Sequence, residues 1–198
     1  MKISKEDRDN LIACSLGDGY LYKKGQLEIY HSLKQRDLVE YKYSLLKKYV
    51  SYKNLHTKER KNGKPLYGFR TKSNKFTRCL RKIIYKGTSK KHVTEKILNR
   101  LSLKHLGLLW MDDGSRYVHK DKETGKIKSI TYEFSTCCSE KDADIYISWI
   151  YNLTGVTFRK VLRKGKYYSL RLSTKEGKVF SKKLYPYVLE SFHYKIDT

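Results

Sequence analysis

The chain has 198 residues, of which 44 are lysine or arginine and 20 are aspartate or glutamate, so that its formal net charge is +24. A surplus of this size is typical of proteins that bind a polyanion, with DNA, RNA and an anionic membrane surface as the candidate partners. No apolar run approaches the roughly 18 residues of a membrane span, and the first ten residues lack the apolar core of a signal peptide. We therefore expect an intracellular protein with no membrane segment.

The four cysteines give no indication of a metal site or a disulfide framework. None has Cys-x-x-Cys spacing, and Cys137 and Cys138 are adjacent, which makes them poor partners for each other. We expect reduced thiols and no zinc. A mitochondrion, a chloroplast, a bacterial cytoplasm and a phage-infected cell all fit this sequence.

The N-terminal half, residues 1–86, alternates helical and strand patterns. It opens with an apolar helix over residues 4–16, which Gly17-Asp18-Gly19 ends. Two hairpins with glycine turns follow, and an apolar stripe at helical spacing comes after each of them. The predicted elements after the first helix are strands over 20–24 and 26–32, a helix over 33–50, strands over 51–60 and 66–71, and a helix over 74–85.

The C-terminal half, residues 101–198, repeats this order after a linker over 87–100 that includes a short helix. Its predicted elements are a helix over 103–112, strands over 115–120 and 128–136, a helix over 139–152, strands over 156–163 and 166–173, and a helix over 175–184.

The first helix of each half ends in the same way. Residues 11–19 and 106–114 are both apolar and helix-forming, and both end with an aspartate and a glycine. The two aspartates, Asp18 and Asp113, are separated by about half the chain. This repeat predicts two similar halves that bring the two carboxylates together.

The two nine-residue segments, at half-chain spacing in a basic chain, resemble the LAGLIDADG homing endonuclease family in its single-chain, two-motif form. Residues 134–140 resemble that family's junction between the second strand and the following helix. Residues 185–196 resemble the C-terminal signature of its single-chain members. The resemblance covers nearly the whole chain.

The resemblance implies an α+β fold of two pseudo-symmetric αββαββα halves. Each half would contribute a curved antiparallel sheet of four strands, and the two sheets would form a DNA-binding saddle around two packed motif helices. Close packing of those helices needs small residues, which Ala13, Ser15, Gly17 and Gly107 provide.

Two carboxylates at converging helix ends repel each other unless a cation lies between them. Because Mg²⁺ prefers oxygen ligands, Asp18 and Asp113 are the predicted ligands of a Mg²⁺ cofactor, for which Mn²⁺ or Ca²⁺ would substitute in binding. By similarity to the family, the backbone carbonyls of Gly17 and Asp112 would assist. The alternative is that both acids only end their helices and face solvent.

The family also places polar and basic side chains around the metal-bound waters. The matching positions here are His31 and Gln35 at the first strand-to-helix junction, with Cys137 at the comparable place in the second half. Lys72 and Lys175, which precede the last helix of each half, would orient water or stabilise developing charge. Simple phosphate contact is the alternative for both lysines.

Base recognition would come from outward-facing strand residues, because a two-stranded ribbon enters the major groove. The predicted DNA contacts are Tyr20, Tyr22, Lys24, Gln26, Glu28, Tyr30, Arg70, Arg116, Tyr132, Arg159, Val161, Arg163, Tyr167, Ser169 and Arg171. A basic loop of Lys58, Arg60, Lys61 and Lys64 would contact backbone phosphates.

Together these features predict a monomeric, divalent-metal-dependent, site-specific endonuclease that makes a double-strand break in a long, asymmetric target in double-stranded DNA. A homodimer would require a palindrome. One alternative is a non-cleaving protein that binds nucleic acid, such as an intron-RNA maturase, and a dual endonuclease and maturase is another. A ribosomal or structural RNA-binding protein fits the charge but leaves the Asp-Gly repeat unexplained.

Overall fold

A computed structural model describes residues 3–50, 55–60 and 63–196 of the chain. The backbone divides into two compact units, Met1–Lys91 and His92–Thr198. The division falls inside the segment that the sequence predicts as a linker. Within the described residues, no helix is both long and apolar enough to cross a membrane.

The first unit contains three helices and four strands in the described residues. They are α1 (Lys5–Leu16), β1 (Tyr20–Leu21), β2 (Leu27–Ser32), α2 (Arg36–Leu46), β3 (His56–Arg60), β4 (Gly63–Arg70) and α3 (Lys75–Tyr85). The side chain of Ser4 caps α1 and that of Asn74 caps α3, so both helices begin at the capping residue that the sequence provides. Short 3₁₀ turns precede and follow α2.

The first unit's sheet is antiparallel, with strand order β1-β2-β4-β3. Along β2, Leu27 and Ile29 are fully buried, while the alternate residues Glu28, Tyr30 and Ser32 are partly exposed. The apolar residues face the helices, because alternate side chains on a strand point to opposite faces. The other face of each sheet, which the helices of its unit leave uncovered, is called the open face below.

The second unit repeats this order after the short helix α4 (Glu95–Leu98). Its elements are α5 (Leu103–Asp113), β5 (Gly114–Lys120), β6 (Ile127–Cys138), α6 (Glu140–Thr154), β7 (Arg159–Arg163), β8 (Tyr167–Leu172) and α7 (Thr174–Leu184). Two 3₁₀ segments, Tyr185–Tyr187 and Glu190–Lys195, follow α7. Its antiparallel sheet has the order β5-β6-β8-β7.

An aromatic cluster forms the core of the second unit around the motif helix α5. The Trp110 ring is fully buried and lies within 6.3 Å, centroid to centroid, of the rings of Phe134, Phe158 and Phe180. Such contacts between aromatic rings stabilise the unit beyond the burial of their apolar area. Gly107 of α5 meets the C-terminal segment, because a Cβ there would lie 2.7 Å from the carbonyl oxygen of Tyr187.

These elements confirm the α+β class and the repeated αββαββα order with one four-stranded antiparallel sheet in each half. Strand β1 is shorter than predicted, and the helix predicted over 33–50 is divided into a 3₁₀ turn, α2 and a second 3₁₀ turn. Strand β6 is longer than predicted and contains a bulge. Its pairing with β8 shifts between Phe134 and Cys138, where Cys137 has a φ of 46°.

Candidate active site and nucleic-acid interface

The first aspartate of the repeat lies in the tight connection between α1 and β1. A side chain on Gly19 would lie 2.2 Å from the carbonyl oxygen of Cys14 and 2.9 Å from Leu27 Cδ1. Only glycine therefore lets the chain pass directly from the helix into the sheet. Asp18 stands at this connection with 45% of its side chain exposed.

His31 lies beside this carboxylate, as the sequence analysis predicted for a residue of the site. Its Nδ1 is 3.5 Å from Asp18 Oδ2 and 3.2 Å from Gln35 Oε1, while its Nε2 is 3.1 Å from the Nζ of Lys42. A protonated lysine has only donors, so Nε2 accepts and the proton is on Nδ1, facing the two oxygens. Lys42 is fully buried. Both ring nitrogens have partners, which suits an orienting role for His31 better than the role of a general base.

Lys91, which was not predicted as a site residue, contacts the backbone just before and just after Asp18. The ammonium of Lys91 donates to the carbonyl oxygens of Gly17 and Gly19, the second at 2.8 Å. The carbonyls at the C-terminal end of a helix carry partial negative charge, which attracts a cation. Lys91 is the last residue of the first unit.

The second aspartate of the repeat lies at the equivalent point of the second unit. Helix α5 ends at Asp113 and β5 begins at Gly114, with no residue between them. A side chain on Gly114 would lie 2.3 Å from the ring of Trp110. The direct passage from helix to strand again depends on a glycine.

A second lysine contacts the carbonyls at this helix end. The Nζ of Lys195 donates to the carbonyl oxygens of Met111 at 2.6 Å and Asp112 at 3.2 Å, and Lys195 is only 7% exposed. Its own carbonyl accepts a hydrogen bond of 3.0 Å from Trp110 Nε1. The C-terminal segment therefore delivers a buried ammonium to the residue that precedes Asp113.

The two units differ at the position that His31 occupies in the first. The bulge of β6 presents Cys137, whose thiol pKa is raised by burial and by the charges of Asp113 and Glu133. A raised pKa keeps the thiol protonated and neutral at neutral pH. The second unit thus has a neutral thiol where the first has an imidazole.

Each unit therefore combines an aspartate at a helix end, backbone carbonyls beside it and a lysine ammonium on those carbonyls. Carboxylate and carbonyl oxygens are the ligands that Mg²⁺ and Ca²⁺ prefer. The ammonium groups on Gly17 and Asp112 show that these same carbonyls attract positive charge. The donors present fit a divalent cation.

The open face of the first sheet contains most of the base contacts predicted for that half. Strand register and burial place Tyr22, Gln26, Glu28, Tyr30 and Arg70 on it, and Lys24 lies exposed in the β1–β2 turn. Tyr20 is on the same side by register, but its ring contacts Tyr85 and Arg81 of α3. His56, which was not predicted, lies on the same face, with its Nε2 2.6 Å from the Tyr30 hydroxyl. Lys58, predicted as a phosphate contact, places its ammonium 5.3 Å from the centre of the same ring.

The open face of the second sheet is rich in arginine. It carries Arg159, Val161, Arg163, Tyr167, Ser169 and Arg171, all of which the sequence analysis selected. It also carries Ser115, Tyr117, His119 and Thr131, which the analysis missed because the period of two does not tell which face is outward.

Two predicted base contacts in this half are wrong. Tyr132 is fully buried, and its ring packs against Gly177, where a Cβ would lie 2.0 Å from the ring. Arg116 pairs directly with Tyr132 across the sheet and therefore projects from the same, helix-covered face. Neither side chain lies on the open face.

The family model of the LAGLIDADG DNA endonuclease family matches residues 11–180 of the chain, from the first motif helix into α7. The chain belongs to this family. The match includes both Asp-Gly helix ends and all eight strands that the structure describes. The comparison with curated proteins finds no match.

Solved structures with the same fold include LAGLIDADG endonucleases bound to DNA. The homing endonuclease I-WcaI, bound to its DNA recognition sequence, is 20% identical with a TM-score of 0.77, covering 100% of this chain and 89% of its own. The meganuclease I-SmaMI, bound to uncleaveable DNA with a TTCT central four, is 12% identical with a TM-score of 0.62, covering 96% and 87%. Full-length DUF199/WhiA from Thermatoga maritima is 12% identical with a TM-score of 0.53, covering 98% of this chain and 59% of that protein.

The lysines predicted to act in this LAGLIDADG site lie apart from the aspartate contacts described above. Lys72 follows β4 with an exposed side chain, and its backbone N–H donates to the carbonyl of Tyr49. Lys175 lines a hollow of about 450 Å³ beside Arg159. Across residues 3–50, 55–60 and 63–196, no contact joins Lys72 to Asp18 or Lys175 to Asp113. Of the predicted basic loop, Lys61 lies outside the described residues.

Proposed function

We propose that this LAGLIDADG protein is a divalent-metal-dependent, site-specific endonuclease that cuts both strands of a long, asymmetric DNA target. The observation that carries the proposal is the repeated helix end, with an aspartate, a preceding carbonyl and a lysine ammonium in each unit. Cleavage of two strands requires two such sites, one for each strand. Family membership supports the endonuclease class.

The residues that would hold Mg²⁺ are the carboxylates of Asp18 and Asp113 and the carbonyls of Gly17 and Asp112. A bound divalent cation supplies charge for the phosphate oxygens and lowers the pKa of a bound water. Each carbonyl oxygen has two lone pairs, so it has capacity for a cation beside the lysine.

The protein side chains have separate tasks in this proposal. Asp18 and Asp113 each serve one strand of the target. Lys91 and Lys195 stabilise the negative charge that develops on the phosphate, because their ammonium groups are already held on backbone carbonyls close in sequence to the aspartates. His31 donates from Nδ1 towards Asp18 and keeps that carboxylate in one orientation, and Lys42 fixes the tautomer of His31.

The two open faces supply the contacts with DNA. The first presents tyrosine, histidine and lysine, and the second presents three arginines from β7 and β8. Two unlike surfaces favour unlike half-sites, whereas two copies of one surface would favour a palindrome. We infer a monomer acting on an asymmetric target.

Incubation with a randomised duplex library, followed by sequencing of the newly formed ends, tests this function. We expect one non-palindromic consensus, cut on both strands with Mg²⁺ and left intact with EDTA. A protein that selects no DNA site, or that cuts without a divalent cation, would contradict the proposal. Tight binding of a folded intron RNA without any cleavage would favour the non-cleaving alternative instead.

A further inference from the structure

An acidic residue lies in the middle of the arginine-rich open face of the second sheet. Glu133 is on β6, directly opposite Ser115 of β5 and Arg171 of β8. It is only 7% exposed, although the helices do not cover this face. The side chains that cover it are arginines, of which Arg163 is 36% and Arg171 is 40% exposed.

The carboxylate of Glu133 uses its full capacity for hydrogen bonds inside the protein. Oε1 accepts from Arg163 Nε at 3.1 Å and from Ser169 Oγ at 2.9 Å. Oε2 accepts from Arg163 Nη2 and from Arg171 Nη2, the latter at 3.0 Å. A carboxylate has about four lone-pair sites, so Glu133 has none left to accept a hydrogen bond from cytosine.

Glu133 remains ionised in this position. Burial alone would raise the pKa of its carboxyl, but hydrogen bonds from Arg163, Arg171 and Ser169 outweigh burial and lower the pKa below its usual value. A negative charge on a DNA-facing surface weakens the attraction to phosphates. Because the charge of Glu133 lowers DNA affinity, its role on this face must be something other than attraction of DNA.

The geometry of Arg163 indicates that Glu133 orients its guanidinium group. Its Nε and Nη2 form a bidentate pair with Glu133, and this side-on contact fixes the plane of the guanidinium. The opposite edge, with Nη1, then lies away from the carboxylate. An unrestrained arginine has about 2 kcal/mol of rotamer entropy to lose on binding, and it reaches phosphates as easily as bases. An arginine held in one plane is already prepared to bind guanine O6 and N7.

The first unit has a similar arrangement, in which the two-nitrogen contact comes from the arginine directly opposite the glutamate. By register, the counterpart of Arg70 is therefore Arg171, whereas Arg163 lies on β7. Glu28 of β2 lies opposite Arg70 of β4, as Glu133 lies opposite Arg171. Arg70 donates to Glu28 through Nε and Nη2, and the Tyr22 hydroxyl donates to the other carboxylate oxygen. The Glu28 side chain is 15% exposed and that of Arg70 is 39% exposed. Each of the two open faces, although they differ in composition, thus has a largely covered carboxylate beneath an arginine guanidinium.

We propose that Glu133 and Glu28 are positioning residues for base recognition, which hold Arg163 and Arg70 so that each reads one guanine in its half of the target. The inference rests on the proposed DNA target. It adds that specificity depends on two acids that contact no base. A merely structural role for these ion pairs would change folding stability and leave base preference unchanged.

Selection of bound duplexes from a randomised library, with Ca²⁺ present, separates the two roles. We expect Glu133→Gln to lower the preference for guanine at one base pair by about tenfold, the size of one bidentate contact, and to leave the other positions unchanged. Glu28→Gln does the same at one base pair in the other half-site. The control Glu95→Gln removes the same charge from an exposed position on α4 and changes no position.

Arg163→Lys keeps the charge but removes the bidentate edge, so it decides the matter if Glu133→Gln does not fold. The Arg163→Lys protein must lose its preference for guanine at a single base pair. If Glu133→Gln also folds, both variants must lose that preference at the same base pair. Unchanged base preferences in the folded variants, or losses at different base pairs for Glu133→Gln and Arg163→Lys, would overturn the inference. If the wild type selects no site, both this inference and the proposed function fail.

Discussion

Lys91 donates a hydrogen bond from its ammonium to the backbone carbonyl of Gly17, which lies 74 residues earlier in the chain. The contact joins the end of the first unit to the residue that precedes Asp18. Lys195 makes the corresponding contact with Asp112 in the second unit. The two lysines therefore have the same relation to the two aspartates, although neighbouring residues show no sequence similarity that would reveal it.

Replacing Lys91 tests whether this contact serves cleavage. We expect Lys91→Met to slow DNA cleavage by about a hundredfold, the size of the loss when one preorganised donor is removed from a developing charge. DNA affinity should fall only slightly, by the loss of one charge. Single-turnover cleavage and a binding titration measure the two effects.

Lys72→Met is the matched control for that experiment, because Lys72 is the alternative lysine of the same half and has an exposed side chain. It should bind DNA slightly less well, with the largest difference at low salt, and cleave bound DNA at the wild-type rate. A hundredfold loss in Lys72→Met with normal cleavage by Lys91→Met would reverse the assignment.

The buried Lys42 should affect cleavage through His31. Lys42→Met keeps the length of the side chain but removes the donor 3.1 Å from His31 Nε2, so the imidazole is no longer held in one tautomer. We expect cleavage to be about tenfold slower, because His31 then holds the metal-binding carboxylate of Asp18 less firmly. Wild-type cleavage by a folded Lys42→Met protein, checked by thermal unfolding, would show that His31 needs no such support.

Gly19 should tolerate no side chain. Gly19→Ala would place a Cβ 2.2 Å from the Cys14 carbonyl oxygen, so helix α1 and strand β1 would have to separate. We expect a loss of about 2–4 kcal/mol in the free energy of unfolding, together with displacement of Asp18. In the control Gly63→Ala, the nearest atom is 3.6 Å away and stability should be nearly unchanged. Denaturant unfolding of both variants gives the comparison, and equal stabilities would contradict the packing described for Gly19.

Asp7 should make the stability of the protein depend on pH. Burial would raise its carboxyl pKa, but hydrogen bonds from Ser4, Tyr49 and Lys48 lower it overall. A lowered pKa in the folded state stabilises the protein above about pH 4, the unfolded value, and this stabilisation disappears as pH falls further. The partner hydroxyl shifts in the opposite sense, since burial and Asp7 raise the pKa of Tyr49 to about 12.

We therefore expect Asp7→Asn to cost about 1–3 kcal/mol of unfolding free energy at pH 7, the usual size for hydrogen bonds to a charged group. The difference from wild type should shrink as pH falls below about 4, where the wild-type carboxyl also becomes protonated. Melting curves at several pH values measure it. A difference that is the same at pH 3 and pH 7 would show that Asp7 stabilises the fold without its charge.

The sequence predicted the order of elements well, because glycine turns and apolar periods are local signals. The sequence did not predict which face of the sheet a strand residue occupies. Tyr132 and Arg116 were assigned to the wrong face, since a polar residue that alternates with other polar residues looks the same on either face. The bulge before Cys138 also shifts which residues of β6 point to each face of the sheet after Phe134.

The lysines that contact the two helix ends, Lys91 and Lys195, were not predicted for a different reason. Their contacts join residues 74 and 83 positions apart, and no local pattern indicates such pairs. One signal was present: both lysines follow the last helix of their unit. Lys72 and Lys175, which precede those helices, were predicted for the site instead, and their roles stay predictions. The aspartates themselves were identifiable, because the apolar helix and the terminal glycine are both needed for the passage into the sheet.

Strand-resolved cleavage of the selected target by Asp18→Asn and Asp113→Asn tests the central claim most directly. With Mg²⁺, the wild type should cut both strands, whereas each variant should bind the target and leave it intact or nicked on one strand. Asp37→Asn, the same change at an exposed position in α2, should cut like the wild type. Cleavage of both strands at the wild-type rate by either Asp18→Asn or Asp113→Asn would contradict the assignment of the two aspartates.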